Sequence, residues 1–351
     1  MKLANENTNL NLSPDSYYTG KTLLVTGGGG SIGSELCRRL ALANPKKIVI
    51  LDICENGAYE VMCDLAGADA EVSVEIASVC DAAALGRIFA KHRPDVVFHA
   101  AAHKHVPLME NCILEAVKNN ICGTFLCMDA ARRHGTERFL LISTDKAVNP
   151  TSVMGATKRA CEVMARCFSE KGGTVYTAVR FGNVLGSAGS VVPLFRRQIA
   201  AGGPVTLTDR RATRFFMTIP DAVDLVVKAC AFAENGGMYL LDMGKPVRIL
   251  ELAEKTIREC GLEPYRDIEI AEVGLRPGER LHETLAADGC ELEPTSDRRI
   301  FSVAERTCII SEAALRESVS VLDLAERFGR EDVALAVLKR LVPEYGEEKD
   351  I

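Results

Sequence analysis

The stretch Thr26-Gly27-Gly28-Gly29-Gly30-Ser31-Ile32-Gly33 decides the fold of this chain. It follows an apolar run at residues 22–25 and precedes residues 34–40, whose apolar positions recur at helical spacing. A glycine-rich turn between a strand and a helix is typical of dinucleotide-binding sites. Gly27 permits the tight turn, Gly30 lets a pyrophosphate approach the backbone, and Gly33 lets the helix pack on the strand. The first N–H groups of the helix would then face the phosphates.

The next apolar run favours this interpretation over the alternative, an ordinary strand-to-helix connection. Residues 47–51 have the sequence Lys-Ile-Val-Ile-Leu, and Asp52 follows them directly. A carboxylate at the end of the second strand accepts hydrogen bonds from an adenosine ribose and repels a 2′-phosphate. The sequence therefore predicts NAD as the cofactor, in preference to NADP.

Length and composition limit the classes of protein to consider. The chain has 351 residues, of which 47% are hydrophobic and 26% charged, as expected of a soluble protein with one large and one smaller domain. A net charge of −6 argues against a broad nucleic-acid surface. The apolar runs are shorter than the roughly 20 residues that span a bilayer. Residues 1–19 are polar and lack a signal peptide's apolar core, so they are predicted to be a leader without a membrane segment.

The cysteines and histidines indicate neither a disulfide framework nor a metal centre. The 13 cysteines are scattered and none lies in a C-x-x-C pair, which is typical of reduced thiols in a cytoplasmic protein. The six histidines do not pair with cysteines at metal-binding spacing. We therefore expect a cytoplasmic protein with no structural zinc.

Strand and helix patterns alternate along the first two thirds of the chain. This alternation predicts right-handed βαβ units and a Rossmann-type, doubly wound parallel sheet. The predicted strands are 22–25, 47–51, 71–76, 95–99, 138–143, 174–181 and 238–241, and the main predicted helices are 56–65, 81–92, 112–120, 123–134, 157–169 and 221–233. The resulting domains are a cofactor-binding domain at 20–182, to which 215–245 returns, and a discontinuous substrate-binding domain at 183–214 and 246–351.

Two further segments carry groups suited to chemistry. Thr144-Asp145-Lys146 follows a central strand, where catalytic groups of open α/β sheets gather; the alternative is a strand end with a solvated charge pair. Lys158 stands where short-chain dehydrogenases place the lysine of a Tyr-x-x-x-Lys pair, but Met154 occupies the tyrosine position. Without that spacing, Met154 would be read as core and Lys158 as surface charge.

The ordered motifs make the chain resemble the extended short-chain dehydrogenases/reductases. Within that superfamily it resembles the nucleotide-sugar 4,6-dehydratases of bacterial polysaccharide biosynthesis that act on UDP-N-acetylglucosamine. Besides the glycine turn, the matching stretches are AAHKHVPLME at 101–110, STDKAVNP at 143–150, MGATKR at 154–159, RFGNVLGS at 180–187, TRFFM at 213–217, LLDMG at 240–244 and GLRPGERLHE at 274–283. The most similar subgroup has methionine in the tyrosine position, and its larger members carry an N-terminal membrane region. This chain is expected to correspond to the soluble catalytic module.

The resemblance implies a reaction without net redox change. NAD⁺ takes hydride from the sugar C4, water is lost from C6, and the same hydride returns to C6. By resemblance Asp145 is the acid for the C6 hydroxyl, Lys146 is the base for the C5 proton, and the Thr144 hydroxyl binds the C4 oxygen. This assignment needs a protonated Asp145 beside a neutral Lys146, and both face the substrate only if the strand has ended before Asp145.

The remaining site residues combine the glycine turn and Asp52, derived above, with residues that the resemblance implies. Lys158 would bond the nicotinamide ribose. The Met154 thioether can neither take nor give a proton, so another group must be the base for the C4 hydroxyl. Two candidates stay open: Thr144 passing the proton to water, or Thr144 passing it to Asp145. The cofactor contacts are Gly27, Gly30, Ser31, Ile32, Gly33, Asp52, Ser78, Val79, Ala100, Ala101, Ala102, Asn120 and Lys158. The substrate contacts are Lys104, His105, Asn183, Arg214, Arg276 and Glu279. Arg210, Arg211 and Arg280 are interpreted as surface charge.

Several hypotheses about the function are compatible with the sequence. A 4-epimerase of the same fold has no need for an Asp-Lys pair aimed at C5 and C6, but a dehydratase that also epimerises C5 would keep it. A non-catalytic NAD sensor would have little reason to keep Asp145, Lys146 and Lys158 together. The partner expected is a UDP-sugar, and residues 112–134 are expected to form the superfamily's dimer face, giving a homodimer or larger homo-oligomer.

Overall fold

A single large sheet organises the molecule. The computed structural model describes residues 14–287, 289–304 and 310–345. The strands are β1 (Thr22–Thr26), β2 (Lys47–Asp52), β3 (Glu71–Ile76), β4 (Val96–His99), β5 (Arg138–Ile142), β6 (Val175–Arg180), β7 (Asn183–Leu185), β8 (Val205–Leu207), β9 (Thr213–Arg214), β10 (Phe216–Thr218), β11 (Met238–Leu241), β12 (Val247–Arg248), β13 (Ile270–Glu272), β14 (Glu291–Pro294) and β15 (Ile300–Ala304). The helices are α1 (Ser31–Ala41), α2 (Glu55–Asp64), α3 (Ala82–His92), α4 (Val106–Glu110), α5 (Ile113–Ala116), α6 (Gly123–Arg133), α7 (Val153–Ser169), α8 (Val191–Ala200), α9 (Ile219–Phe232), α10 (Ile249–Glu259), α11 (Glu312–Arg327) and α12 (Glu331–Leu341).

The topology of this sheet is that of a doubly wound α/β protein. Its strand order is β14-β15-β11-β6-β5-β4-β1-β2-β3, and the strands from β11 to β3 are parallel. The winding direction reverses between β1 and β4, which opens a crevice at the carboxyl ends of these strands. The predicted Rossmann-type fold is confirmed, with β15 and then β14 added as antiparallel strands on the side of β11.

Helices cover both faces of the sheet because its central strands are apolar on both sides. Leu23 and Val25 point into one core, where they pack with Leu36 of α1, whereas Leu24 points into the opposite core with Met164 of α7. All five of these side chains are fully buried. A third, smaller cluster, which includes Phe195 and Ile257, is built by α8, β8, α10 and β13.

Helix α7 begins four residues earlier than predicted, at Val153. The Ser152 side chain caps it by accepting a hydrogen bond from the Gly155 N–H. Gly155 lowered the apparent helix propensity of this segment. The structure explains the glycine: a Cβ there would lie 2.3 Å from the Lys146 carbonyl oxygen, so only glycine lets α7 start against the turn that follows β5.

The expected dimer face is covered by the chain itself. Helices α5 and α6 are joined through a π-helical turn, Val117–Cys122, where the sequence predicted two separate helices. The hairpin of α11 and α12 packs over α5, this turn and α7, and buries Leu315, Leu322 and Leu338 in the same core as Phe125. Residues 112–134 therefore present this face to α11 and α12.

The C-terminal segments also depart from the expected domain division. The sequence grouped residues 246–351 with a substrate-binding domain, but β14 and β15 extend the large sheet and α11 and α12 pack on its helical layer. At the other end, Tyr18 of the expected leader is fully buried, and its hydroxyl donates to the Val227 carbonyl at 2.6 Å. Residues 1–13 lie outside the described part of the chain. Within that part, none of the helices combines the length and apolarity needed to cross a membrane.

Candidate active site

The glycine turn after β1 is shaped by close backbone contacts. Gly27 has a φ of +66°, and a Cβ there would lie 2.8 Å from the Ala101 backbone, so this position requires glycine. A Cβ on Gly33 would lie 2.0 Å from the Gly27 carbonyl oxygen, which brings α1 close against the turn. Helix α1 begins after Gly30 without a side-chain cap. Its first N–H groups, at Ser31, Ile32 and Gly33, are therefore suited to an anionic ligand.

Asp52 connects the end of β2 to this turn. Its Oδ2 accepts from the Gly29 N–H and its Oδ1 from the Cys54 N–H, each at 2.8 Å. A carboxylate has about four acceptor positions, so two remain for the hydroxyls of a ribose. The carboxylate is thus fixed at the carboxyl edge of the sheet, and its free acceptor positions fit the ribose at the adenosine end of a dinucleotide.

The other predicted cofactor residues lie just after the carboxyl ends of strands, except Asn120, which lies in the turn Val117–Cys122. Ser78 and Val79 follow β3, and the partly exposed Ala100, Ala101 and Ala102 follow β4. Asn120 is almost fully buried and its amide is saturated, accepting from the His103 and Asn119 N–H groups and donating to the His103 carbonyl and Thr157 Oγ1. These bonds hold the His103 loop against α7, and a contact from Asn120 to the cofactor stays a prediction.

The Thr144-Asp145-Lys146 segment forms a connected set of polar groups. Strand β5 ends at Ile142 and Asp145 begins a 3-10 turn, so the two neighbouring side chains are able to meet. The Asp145 Oδ1 accepts from the Thr144 hydroxyl at 2.8 Å and from the Lys146 Nζ at 2.9 Å. Asp145 is fully buried, and its Oδ2 has no hydrogen-bond partner among the described residues.

Charge around Lys146 favours its protonated form. Burial lowers the pKa of Lys146, but the carboxylates of Asp145 and Glu283 outweigh this effect and hold the pKa above its ordinary value. A protonated Lys146 is the opposite of the state that the predicted base needs. A proton must reach Asp145 during the reaction for Asp145 to act as an acid.

Lys158 and Met154 lie on α7, next to this turn. Lys158 is 6% exposed, and burial lowers the pKa of its ammonium group. Met154 is 2% exposed and belongs to the core cluster beneath the helix. The two residues keep the four-residue spacing of the Tyr-x-x-x-Lys pair on this helix, with the apolar Met154 in the tyrosine position and Lys158 in the lysine position.

A cavity of about 180 Å³ lies in front of Lys146 and carries an excess of positive charge. Five of the six predicted substrate residues line it, namely Lys104, His105, Arg214, Arg276 and Glu279. Asn183 lies beside it, with its side-chain oxygen 3.4 Å from the Lys146 Nζ. Thr144, Asp145, Met154 and Lys158 do not line it. Clustered cations with forked guanidinium groups are suited to a pyrophosphate.

The arginines of this cavity differ in how much of their hydrogen-bonding capacity is free. Arg214 donates to the carbonyls of Thr213, Arg280 and Leu281, so it fixes the loop around residue 281. Arg276 has an exposed side chain and forms an ion pair with Glu279, with 2.6 Å between its Nη2 and the Glu279 Oε1. Arg280, which the sequence assigned to surface charge, lines the cavity and donates to the Val148 carbonyl, which corrects that assignment.

Sequence reasoning missed Glu283. This glutamate is 8% exposed and lines the cavity, and its Oε1 lies 3.6 Å from the Lys146 Nζ and 3.7 Å from the Arg214 Nε. Its Oε2 is buried and has no hydrogen-bond partner among the described residues. The sequence marks Glu283 only as the last residue of the motif at 274–283 and gives it no role, because its neighbours belong to segments far away along the chain.

Comparison with known proteins identifies the family. A family model described as polysaccharide biosynthesis protein matches residues 23–305. The chain belongs to this family. Its members are extended short-chain dehydrogenases/reductases, so the family predicted from the motifs is confirmed. The match includes the glycine turn, the Asp145-Lys146 pair and the cavity loop around residue 280.

The individual relatives of this polysaccharide biosynthesis family member are named for several different functions. The chain is 50% identical over 269 residues to a probable polysaccharide biosynthesis protein of Bacillus subtilis, covering 76% of this chain and 45% of that protein. It is 35% identical to an inverting UDP-N-acetylglucosamine 4,6-dehydratase of Campylobacter jejuni, covering 76% of this chain and 78% of that protein. It is 32% identical to a UDP-glucose 4-epimerase of Rickettsia rickettsii, covering 81% of this chain and 82% of that protein. Among solved structures, Pen from Bacillus thuringiensis aligns with a TM-score of 0.72 and 31% identity, over 77% and 84% of the two chains. The chain spans about half the length of the first two curated relatives that it matches.

Proposed function

We propose that this chain catalyses the NAD-dependent 4,6-dehydration of a UDP-N-acetylhexosamine, with UDP-N-acetylglucosamine as the substrate. The observation that carries the proposal is the contact between Asp145 and Lys146 at the carboxyl end of β5, beside a cationic cavity. Loss of water from C5 and C6 needs an acid and a base directed at neighbouring carbons. The relationship to a UDP-N-acetylglucosamine 4,6-dehydratase supports the same reaction.

The cofactor proposed is NAD. The glycine turn, the uncapped start of α1 and the fixed Asp52 carboxylate suit its pyrophosphate and adenosine ribose. Lys158, a buried residue of α7, would bond the nicotinamide ribose. When bound, NAD⁺ supplies an acceptor for hydride from C4 and later a donor of hydride to C6.

Thr144 and Asp145 account for the proton released when C4 is oxidised. The Thr144 hydroxyl donates to Asp145, so it is oriented to accept a hydrogen bond from the C4 hydroxyl and to pass a proton to the carboxylate. Asp145 then carries the proton that leaves with the C6 hydroxyl as water. This relay removes the need for a protonated Asp145 in the free enzyme. It also explains how the site functions with Met154 in the tyrosine position.

Lys146 is the base that removes the C5 proton. Its Nζ contacts Asp145 and Asn183, and it lines the cavity in which the sugar would bind. Once Asp145 has accepted a proton, one of the two charges that raise the pKa of Lys146 is gone. The first step thus prepares both groups for the second.

Two other candidates have specific support. The Campylobacter relative is an inverting enzyme, which favours a dehydratase that also epimerises C5. The Rickettsia relative is a 4-epimerase, which has no use for an acid and base at C5 and C6. A product lighter by one water excludes a simple epimerase and a non-catalytic NAD-binding protein. The C5 configuration of that product, read from NMR coupling constants, separates the two dehydratases.

Isotope transfer tests the proposal directly. With substrate deuterated at C4, we expect deuterium at C6 of the same molecule, because the cofactor stays bound, and solvent hydrogen at C5. Mass spectrometry and NMR of the product locate both labels. Washout of the C4 label into solvent, or a stoichiometric requirement for added NADH, would contradict the mechanism.

A further inference from the structure

Two carboxylates face Lys146, and one of them has no role in the reaction described so far. The Lys146 Nζ lies 2.9 Å from Asp145 Oδ1 and 3.6 Å from Glu283 Oε1. Each carboxylate keeps one buried oxygen without a hydrogen-bond partner in the described structure. A buried carboxylate with an unused oxygen is costly unless it serves a purpose.

The surroundings of Lys146 leave Glu283 as the second group able to hold its proton. Asp145 faces it from its own turn, the neutral Asn183 amide from β7, Glu283 from the loop after β13, and Arg214 from β9. Arg214 is fixed by three carbonyls and has no proton to exchange near neutral pH. When Asp145 is protonated, Glu283 is the anion that remains beside Lys146.

We propose that Glu283 is a positioning residue that acts through Lys146, holding the Nζ proton while Lys146 serves as the base. The inference rests on the proposed function and deepens it. In the first step the C4 hydroxyl proton passes through Thr144 to Asp145, and the Lys146 ammonium gives one proton to Glu283. Neutral Lys146 then takes the C5 proton, and protonated Asp145 releases the C6 hydroxyl as water. After hydride returns to C6, Lys146 returns a proton to C5 and regains its own from Glu283.

Direct titration of Lys146 tests the charge coupling without requiring turnover. In protein labelled at the lysine Cε with ¹³C, the Lys146 signal is assigned by its absence in Lys146→Met. In Glu283→Gln we expect its titration midpoint to fall by about one pH unit or more, since even a water-like dielectric at this distance gives a shift of about that size. The sign follows from the loss of an anion that stabilises the ammonium form. Glu283→Asp keeps the charge and is expected to restore most of the midpoint.

Matched controls separate a charge effect from a structural one. Glu272 also lies 3.6 Å from a cation, Arg210, but both side chains are exposed, so Glu272→Gln is expected to leave the Lys146 midpoint unchanged. Thermal unfolding of each variant checks the fold. A midpoint in Glu283→Gln equal to that of the parent protein would overturn the inference.

Solvent exchange at C5 provides the functional measurement. In deuterated buffer, the pH at which C5 exchange reaches half its maximum should move down in Glu283→Gln, together with a loss of maximal rate. A lower rate with an unmoved pH profile would overturn the proton-holding role. If the parent protein produces no dehydrated sugar, the proposed function fails, and the Lys146 titration still decides whether Glu283 controls its charge.

Discussion

Three neighbouring residues, Thr144, Asp145 and Lys146, carry the proposed chemistry at the smallest scale. Their hydrogen bonds form a path from a hydroxyl to a carboxylate to an ammonium group. In the proposed mechanism the protonation states in this path change as the reaction proceeds, because each proton transfer alters the charge beside the next group. Variants that interrupt the path at different points should therefore stop the reaction at different stages.

Asp145→Asn and Lys146→Ala are predicted to differ in the species that accumulates. The amide introduced by Asp145→Asn would accept no proton from Thr144, so C4 oxidation and water loss both slow, by about 10²–10⁴-fold. Lys146→Ala leaves oxidation possible but removes the base for C5, so reduced cofactor accumulates and its absorbance rises. Lys146→Arg is the matched control, since it keeps a cation that stays protonated. Accumulated reduced cofactor in Asp145→Asn and none in Lys146→Ala would reverse the two assignments.

The methionine at the tyrosine position gives a second residue-scale prediction. Met154 lies in a packed core, so Met154→Leu keeps the volume and should cost less than about 1.5 kcal/mol of stability with little change in turnover. Lys158→Met removes the buried charge at the proposed cofactor site, and Thr144→Val removes the hydroxyl of the proposed relay, so both should lose most of the rate. Steady-state kinetics of the three variants establish the order. A Met154→Leu variant slower than the other two would require a role for the thioether.

At the scale of elements, the active site depends on how α7 meets the ends of β5 and β6. Glu162 of α7 accepts from the Ser143 hydroxyl at 2.6 Å and from the Arg180 guanidinium, which ties the helix to both strand ends. These groups are buried, so the network positions the helix that carries Lys158 relative to the turn that carries Lys146. Gly155 lets α7 lie directly against the turn that carries Lys146.

Gly155→Ala is predicted to damage both stability and turnover. The added Cβ would lie 2.3 Å from the Lys146 carbonyl oxygen, so α7 or the catalytic turn must shift, at a cost of about 1–3 kcal/mol. Gly86→Ala in α3 is the matched control, because a Cβ there meets nothing within 4 Å and alanine favours helix by up to about 1 kcal/mol. Urea unfolding and kcat measure the two effects. Equal stability of the two variants would show that the contact is not restrictive.

At the scale of the whole molecule, the chain covers its own apolar surface with its last two helices. The hairpin of α11 and α12 lies on the helical layer where a dimer partner was expected, so an oligomer would use a different face while the hairpin is docked. The oligomeric state itself stays a prediction. The hairpin is also tied to the layer beneath it by ion pairs from Arg316 to Asp129 and from Lys118 to Glu326.

Leucine-to-alanine substitutions on the two faces of α11 should lower the free energy of unfolding by different amounts. Leu322 is fully buried under the hairpin, so Leu322→Ala should lower the free energy of unfolding by about 2–5 kcal/mol. Leu324 is 50% exposed on the same helix, so Leu324→Ala should cost much less. Chemical denaturation of both variants measures the difference. Similar losses would mean that the hairpin does not bury this face in solution.

The sequence by itself determined the fold and the identity of the central residues. The glycine turn, Asp52 and the alternation of apolar strands with helices act over short stretches, and Asp145 and Lys146 are neighbours in any conformation. Only the tertiary structure decided four other features. They are the start of α7, the occupied side chains of Asn120 and Arg214, the covered face of α5 and α6, and the place of Glu283 beside Lys146. Each depends on contacts between segments far apart along the chain, which local propensity and periodicity do not encode.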